Sequence, residues 1–152
     1  MAITPAVLLV ELIMSADRLI QSAHDAPTLE GEWPPSVVLG HVTQVDEQVW
    51  MHRIEAMLAA QRDNSAPPTF SWWEPDPEET RSAYSDYSLD RAGAELMASR
   101  TKMVTFLRGL TTQEWESLGR HETFGELDIS TLLLEVLRHD EEHRASFVLG
   151  TD

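Results

Sequence analysis

The chain has 152 residues, enough for one sizeable core, and residues 1–152 read as a single domain. Its 26 acidic and 11 basic side chains give a formal charge of −15, which repels phosphate backbones and anionic headgroups and argues against nucleic-acid and membrane partners. It has no cysteine, which excludes disulfides, thiolate metal ligands and a cysteine nucleophile of its own.

The N-terminus, Met1-Ala2-Ile3-Thr4-Pro5, lacks the basic stretch of a signal peptide. The apolar run from Ala6 to Met14 is interrupted by Glu11 and is too short to span a bilayer, so a cytoplasmic location is expected by default. Thr4 and Pro5 form an N-cap and first helical position. In the helix they open, Glu11, Ser15, Arg18 and Ser22 make a single polar stripe, and the rest of the circumference is mostly apolar. This predicts a deeply packed helix that ends before Pro27 and could supply part of an interface.

The second helical segment follows Trp33-Pro34-Pro35 and runs from about Ser36 to Arg62. Its inward row reads Val38, His41, Val45, Val49 and His52, with Gln48 beside it. Residues 63–87 follow, with four prolines, the pair Trp72-Trp73 and many acids. A connection this long is either a lid or pocket wall, or a loop anchored on the bundle by its tryptophans. The third segment starts near Ser88 and places Leu89, Ala92, Leu96, Met103, Phe106 and Leu110 in an apolar row. A short turn from Thr112 to Ser117, capped by Thr111 or Thr112, comes next.

The fourth segment is capped by Asp128 and ended by Gly150, and its inward row is Leu132, Val136, His139, His143 and Phe147. No segment alternates convincingly with period two, so four helices of about 20 residues predict an all-α bundle.

His139-Asp140-Glu141-Glu142-His143 is an H-x-x-x-H on a helix, with both rings on one face a turn apart. Such a pair chelates one ion at metal–nitrogen distances of about 2.0–2.1 Å. Unpaired imidazoles are costly to bury, and His41 is a third inward histidine on another helix. Bundle sites are built in this way from facing helices, so His41, His139 and His143 are the expected metal ligands. His52 lies about 16 Å along the axis from His41 and cannot share the site. His24 and His121, near segment ends, read as exposed or hydrogen-bonding. Glu135, Asp140 and Glu142 are candidates to orient a ligand ring, or members of a solvated acidic face. No catalytic acid or base is assigned.

Two stretches carry a family resemblance. The first is Trp33-Pro34-Pro35-Ser36-Val37-Val38-Leu39-Gly40-His41, continuing through Asp46 to Arg53-Ile54. The second is Gly119-Arg120-His121-Glu122-Thr123-Phe124-Gly125-Glu126-Leu127, followed by Leu133-Leu134 and the H-x-x-x-H. The sequence resembles the DinB/YfiT-like superfamily, and in particular its small DinB-like domains. The resemblance implies an up-down-down-up four-helix bundle with a three-histidine site for zinc, nickel or a similar ion. It carries the ligands over to His41, His139 and His143. The chain departs from the usual ending at Ser146-Phe147, where many relatives have a glutamine.

Three imidazoles leave coordination positions open, as in catalytic rather than structural sites. Characterised relatives use a low-molecular-weight thiol, so the resemblance implies a metal-dependent thiol S-transferase acting on a small electrophilic substrate. The alternatives are a metal-dependent hydrolase and a non-enzymatic, stress-related metal or small-molecule binding module. A homodimer is also implied.

Overall fold

The computed structural model of the chain describes residues 3–149, with side chains for residues 3–147. In chain order the elements are α1 (Pro5–Asp25), α2 (Pro35–Val45), a π-helical turn (Asp46–Trp50), α3 (Met51–Arg62), β1 (Thr69–Phe70) and α4 (Pro77–Tyr84). There follow α5 (Leu89–Arg108), α6 (Thr112–Trp115), β2 (Leu118–His121), β3 (Gly125–Asp128) and α7 (Ile129–Leu149). The starts are set by local caps. Thr4 Oγ1 accepts from the Val7 amide with Pro5 behind it, and Ser88 Oγ accepts from Arg91. Thr111 and Glu114 form a capping box, and Asp128 Oδ1 accepts from Thr131. The expected end at Gly150 lies outside the described residues.

Two core clusters give the direction of each helix. One joins Leu8 of α1, Ile54 and Met57 of α3, Val104 and Leu107 of α5, and Ile129 and Leu132 of α7. The other joins Leu19 and Ala23 of α1, Leu39 and Val42 of α2, and Ala92 and Leu96 of α5, with Phe147 of α7 packed against it. Thus α1 runs from the first cluster to the second, α2–α3 and α5 both run back, and α7 runs forward again. The bundle is up-down-down-up. Each large aliphatic side chain so buried contributes about 1.5–3 kcal/mol over its exposed state.

This topology explains the long connection after α3. Two consecutive parallel helices require the chain to travel the length of the bundle between them. That crossover is not pinned by its tryptophans, because Trp72 is 67% and Trp73 54% exposed. It is pinned by β1, which pairs with β2, and by α4. Thr80 Oγ1 donates to Gln44 Oε1 at 2.7 Å, and the Tyr84 ring lies where a Cβ on Gly40 would come within 2.3 Å of it.

Four further expectations are corrected. First, the chain forms a small sheet of order β1-β2-β3, with β2 and β3 antiparallel around a turn whose Gly125 has φ +76°. Strands of four residues leave too short an alternation to read. Second, His52 is exposed, and Arg53 and Ile54 are buried instead. The π turn winds fewer degrees per residue than an α-helix, so it rotates everything beyond it away from the predicted row. Third, α1 is packed less deeply than its composition predicts. Ser15 is buried, while Val7, Val10 and Met14 are exposed. Fourth, Leu107 faces the core where the periodicity predicts Phe106.

Candidate metal centre

His41 projects from α2 six residues after its proline start, and His139 and His143 project from α7 one turn apart. Their ring centroids are 5.5 Å (His41–His139), 5.0 Å (His41–His143) and 4.6 Å (His139–His143) apart. One nitrogen from each ring can be chosen so that all three lie within 4.8 Å of one another, a grouping that could hold a metal ion. The structure thus brings together the three histidines selected from the sequence. His24 is exposed beside Asp90, and His52 and His121 lie elsewhere.

The donor chemistry fits a divalent ion. His139 Nε2 and His143 Nε2 are 3.2 Å apart, close to the edge of about 3.3 Å expected between two nitrogens on one tetrahedral zinc. The Nδ1 atoms of His41 and His139 are buried with no hydrogen-bond partner. Burial, then the charge of His143, lowers the His41 pKa to about 4. Burial, then His143 and His41, lowers His139 to about 3. Burial also lowers His143, against the opposing pull of Asp140 and Glu142. All three rings are therefore neutral at pH 7, with lone pairs available for coordination.

The acids do not all play the roles considered for them. Asp140 is buried and turns away from the imidazoles, accepting from Arg100 at 2.7 and 2.9 Å and from Ser15 Oγ at 2.7 Å. Arg100 also donates to both carboxylate oxygens of Asp46, at 2.9 and 3.1 Å, and to the Leu12 carbonyl at 3.0 Å. Asp46 opens the π turn just beyond His41, and Asp140 follows His139. Arg100 therefore ties together the two helices that carry the three histidines. Glu135 bonds Arg138, and Glu142 is exposed and also bonds Arg138.

His143 and Glu142 open into a cleft of about 520 Å³ lined by Trp33, Val38, Arg81 and Phe147, among others. That volume is typical of small-molecule sites. The Trp33 ring stands 5.4 Å from that of His41. Two functional candidates were not singled out from sequence as site residues. Arg100 was detectable, because it falls in the gap of the α5 row between Leu96 and Met103. Arg81 was not, because it sits in the crossover, where no periodicity reports which side faces the bundle.

Comparison with known proteins follows this geometry. The family model of the DinB superfamily matches residues 10–146. Among solved structures, the chain is similar to YfiT from Bacillus subtilis, described as "a probable metal-dependent hydrolase with an unusual four-helix bundle topology". That match has a TM-score of 0.71 at 16% identity and covers 99% of this chain and 92% of the other. No curated protein matches the sequence. Among the described residues, no helix is long and apolar enough to cross a membrane.

Proposed function

The chain belongs to the DinB superfamily, and on that premise we propose that His41, His139 and His143 hold one divalent ion, zinc or nickel, and that the adjoining cleft presents it with a small-molecule substrate. The single observation that carries this reading is the convergence of three neutral imidazoles, one buried and two half-buried, from two helices at the edge of a cleft. An ion with open positions supplies a water or thiol of lowered pKa and a Lewis acid for the substrate.

The protein's own residues divide the remaining work. Arg100 holds the two ligand-bearing helices in register through Asp46 and Asp140. The apolar surfaces of Trp33, Val38 and Phe147 desolvate the substrate. Glu142 lines the cleft next to His143 with its carboxylate bonded to Arg138, and hydrolysis is the reading in which that carboxylate would take and return a proton. YfiT's description as a probable metal-dependent hydrolase lends the same reading support by likeness of fold alone. Thiol transfer is the second reading, favoured by a cleft volume that accommodates both a low-molecular-weight thiol and an electrophile. The exposed apolar stripe Ile3, Val7, Val10 and Met14 supports a homodimer.

The test begins with elemental analysis of untagged protein, where one ion per chain is expected in the wild type and none in His139→Ala. Metal-loaded protein is then assayed on a panel of esters and amides, and on glutathione with monochlorobimane. Glu142→Gln is expected to suppress hydrolysis and leave thiol conjugation unchanged. Substoichiometric metal in the wild type, or equal rates with and without metal, would remove the enzyme reading and leave a binding module.

A further inference from the structure

Arg81 stands out by what it lacks. In a chain with 26 acids and 11 bases, an arginine has every opportunity to find a carboxylate. Arg18, Arg62, Arg100, Arg120, Arg138 and Arg144 do; of the others, Arg53 donates to the Ser71 carbonyl, Arg91 donates to the Tyr87 hydroxyl, and Arg108 is exposed. Among the described residues Arg81 makes no ion pair, and its Nε is buried without a hydrogen-bond partner. Its side chain lines the same cleft as His143. The two acids that also line it, Glu32 and Glu142, are not without partners of their own.

Arg81 is also firmly placed. Its neighbour Thr80 is fully buried and donates to Gln44, one turn beyond Gly40-His41 on α2. Tyr84, three residues further along α4, closes over Gly40. The crossover therefore delivers a guanidinium to the cleft from an element braced directly against the helix that carries His41. A buried N–H donor without an acceptor is costly, and the cost is relieved when an acceptor arrives. A guanidinium fork matches a carboxylate in geometry and in charge. Leu29, Trp33, Val38 and Phe147 give the wall an apolar part that suits a hydrocarbon body.

We propose that Arg81 is the substrate anchor of this cleft, and that the substrate is a small organic carboxylate whose anionic end bonds Arg81, whose apolar body lies against Trp33 and Phe147, and whose reacting group reaches toward His143. The assignment rests on reading the cleft as the substrate site of the metal centre. It supplies what that reading leaves open, the chemical class of the ligand. It also gives the crossover segment a role. The chain must pass this way to connect two parallel helices, and in passing it provides the cation.

The experiment compares two probes of nearly the same shape, 3-phenylpropionate and 3-phenylpropionamide, titrated into 15N-labelled protein with and without zinc. The metal-free wild type is expected to bind the carboxylate about tenfold more tightly than the amide, as one charge-assisted contact in a partly open cleft warrants. The Arg81 Nε–H resonance is expected to move with the carboxylate and not with the amide, a readout that needs no substitution. Arg81→Gln is expected to abolish the preference, and Arg81→Lys to keep part of it. A preference that appears only with zinc places the carboxylate on the ion, which overturns the anchor and leaves the metal reading standing. Failure of the metal-free protein to bind either probe, or an unchanged preference in Arg81→Gln, also overturns it. Zinc that never loads beside a preference that persists keeps the anchor and removes the metal reading.

Discussion

Two polar islands lie within one helical bundle, and they differ in how completely their bonds are made. Around Arg100 every hydrogen-bonding hydrogen of the guanidinium has an acceptor, on Asp46, Asp140 or the Leu12 carbonyl, and Ser15 adds a further bond to Asp140. Around His41, His139 and His143, two ring nitrogens are buried with no partner, and two others face each other at 3.2 Å. The chain passes from one island to the other in a single residue, since His139 and Asp140 point about 100° apart around α7. A closed island is a structural fastening. An island with ring nitrogens left over is a candidate site, because burying a polar atom without a partner is costly.

The comparison is broken most severely by opening the closed island. Burial opposes the charge on Arg100, but Asp46 and Asp140 outweigh it and raise its pKa, so the cation persists at all working pH values. Arg100→Met leaves two carboxylates in the core without their counter-charge, and the expected loss is about 3–5 kcal/mol in urea unfolding. Replacing Asp46, Arg100 and Asp140 together by apolar residues of similar size should recover most of it. A single variant within 1 kcal/mol of wild type would mean that the cluster is not the fastening described.

The open island should behave in the opposite way. His139→Asn removes an imidazole whose Nδ1 has no partner, so metal-free stability should change by no more than about 1 kcal/mol. Zinc at a thousand times its Kd should then stabilise the wild type by about 4 kcal/mol and the variant negligibly. Thermal unfolding with and without zinc reads both numbers. Equal stabilisation of the two proteins would place the ion elsewhere.

Which parts of this contrast could be read from the sequence follows from the range of the interactions. The caps at Thr4, Ser88, Thr111 and Asp128 are contacts over three residues, and they are visible as spelling. The three histidines were legible because each interrupts an apolar stripe. Arg100 interrupts one too, but a gap in a row is easily passed over where a histidine is not. The π turn at Asp46–Trp50 has no residue signature, and everything that depends on its rotation, such as the exposure of His52, was out of reach. Burial in the crossover was equally hidden. Trp72 and Trp73 look like anchors by composition, yet Pro75 and Thr80 are the buried residues there.

A smaller effect separates the islands through the backbone. Gly40 precedes His41, and the Cβ of an alanine there would fall within 2.3 Å of the Tyr84 ring. Gly40→Ala must push α4 off α2, and an overpacked contact of this kind costs about 1–3 kcal/mol. The displacement is next to His41, so zinc affinity should fall with stability, and NMR shifts should cluster around α4 and the cleft. Shifts centred on Arg100 instead would show that the two islands are not separable.

The smallest expected effect is a slope. In metal-free protein the His41 and His139 pKa values are held at about 4 and about 3 by burial, whereas in the unfolded chain both lie at about 6.5. As pH falls below about 6.5 the unfolded chain takes up protons that the folded one cannot. Stability is therefore fully present above that value and drains away toward pH 3–4, at up to about 1.4 kcal/mol per pH unit for each ring. Asp46 titrates in the same window with the opposite sign, because burial raises it to about 6 against the pull of Arg100. A stability that it lends at low pH is lost as pH rises. The useful quantity is therefore the difference between wild type and His139→Asn, in which the Asp46 contribution cancels. Between pH 6 and 5 the variant should lose stability less steeply by up to about 1.4 kcal/mol per unit. Parallel curves would mean that His139 takes up its proton as readily in the folded bundle as outside it, and an imidazole so easily protonated would be a poor member of a metal-binding trio at neutral pH.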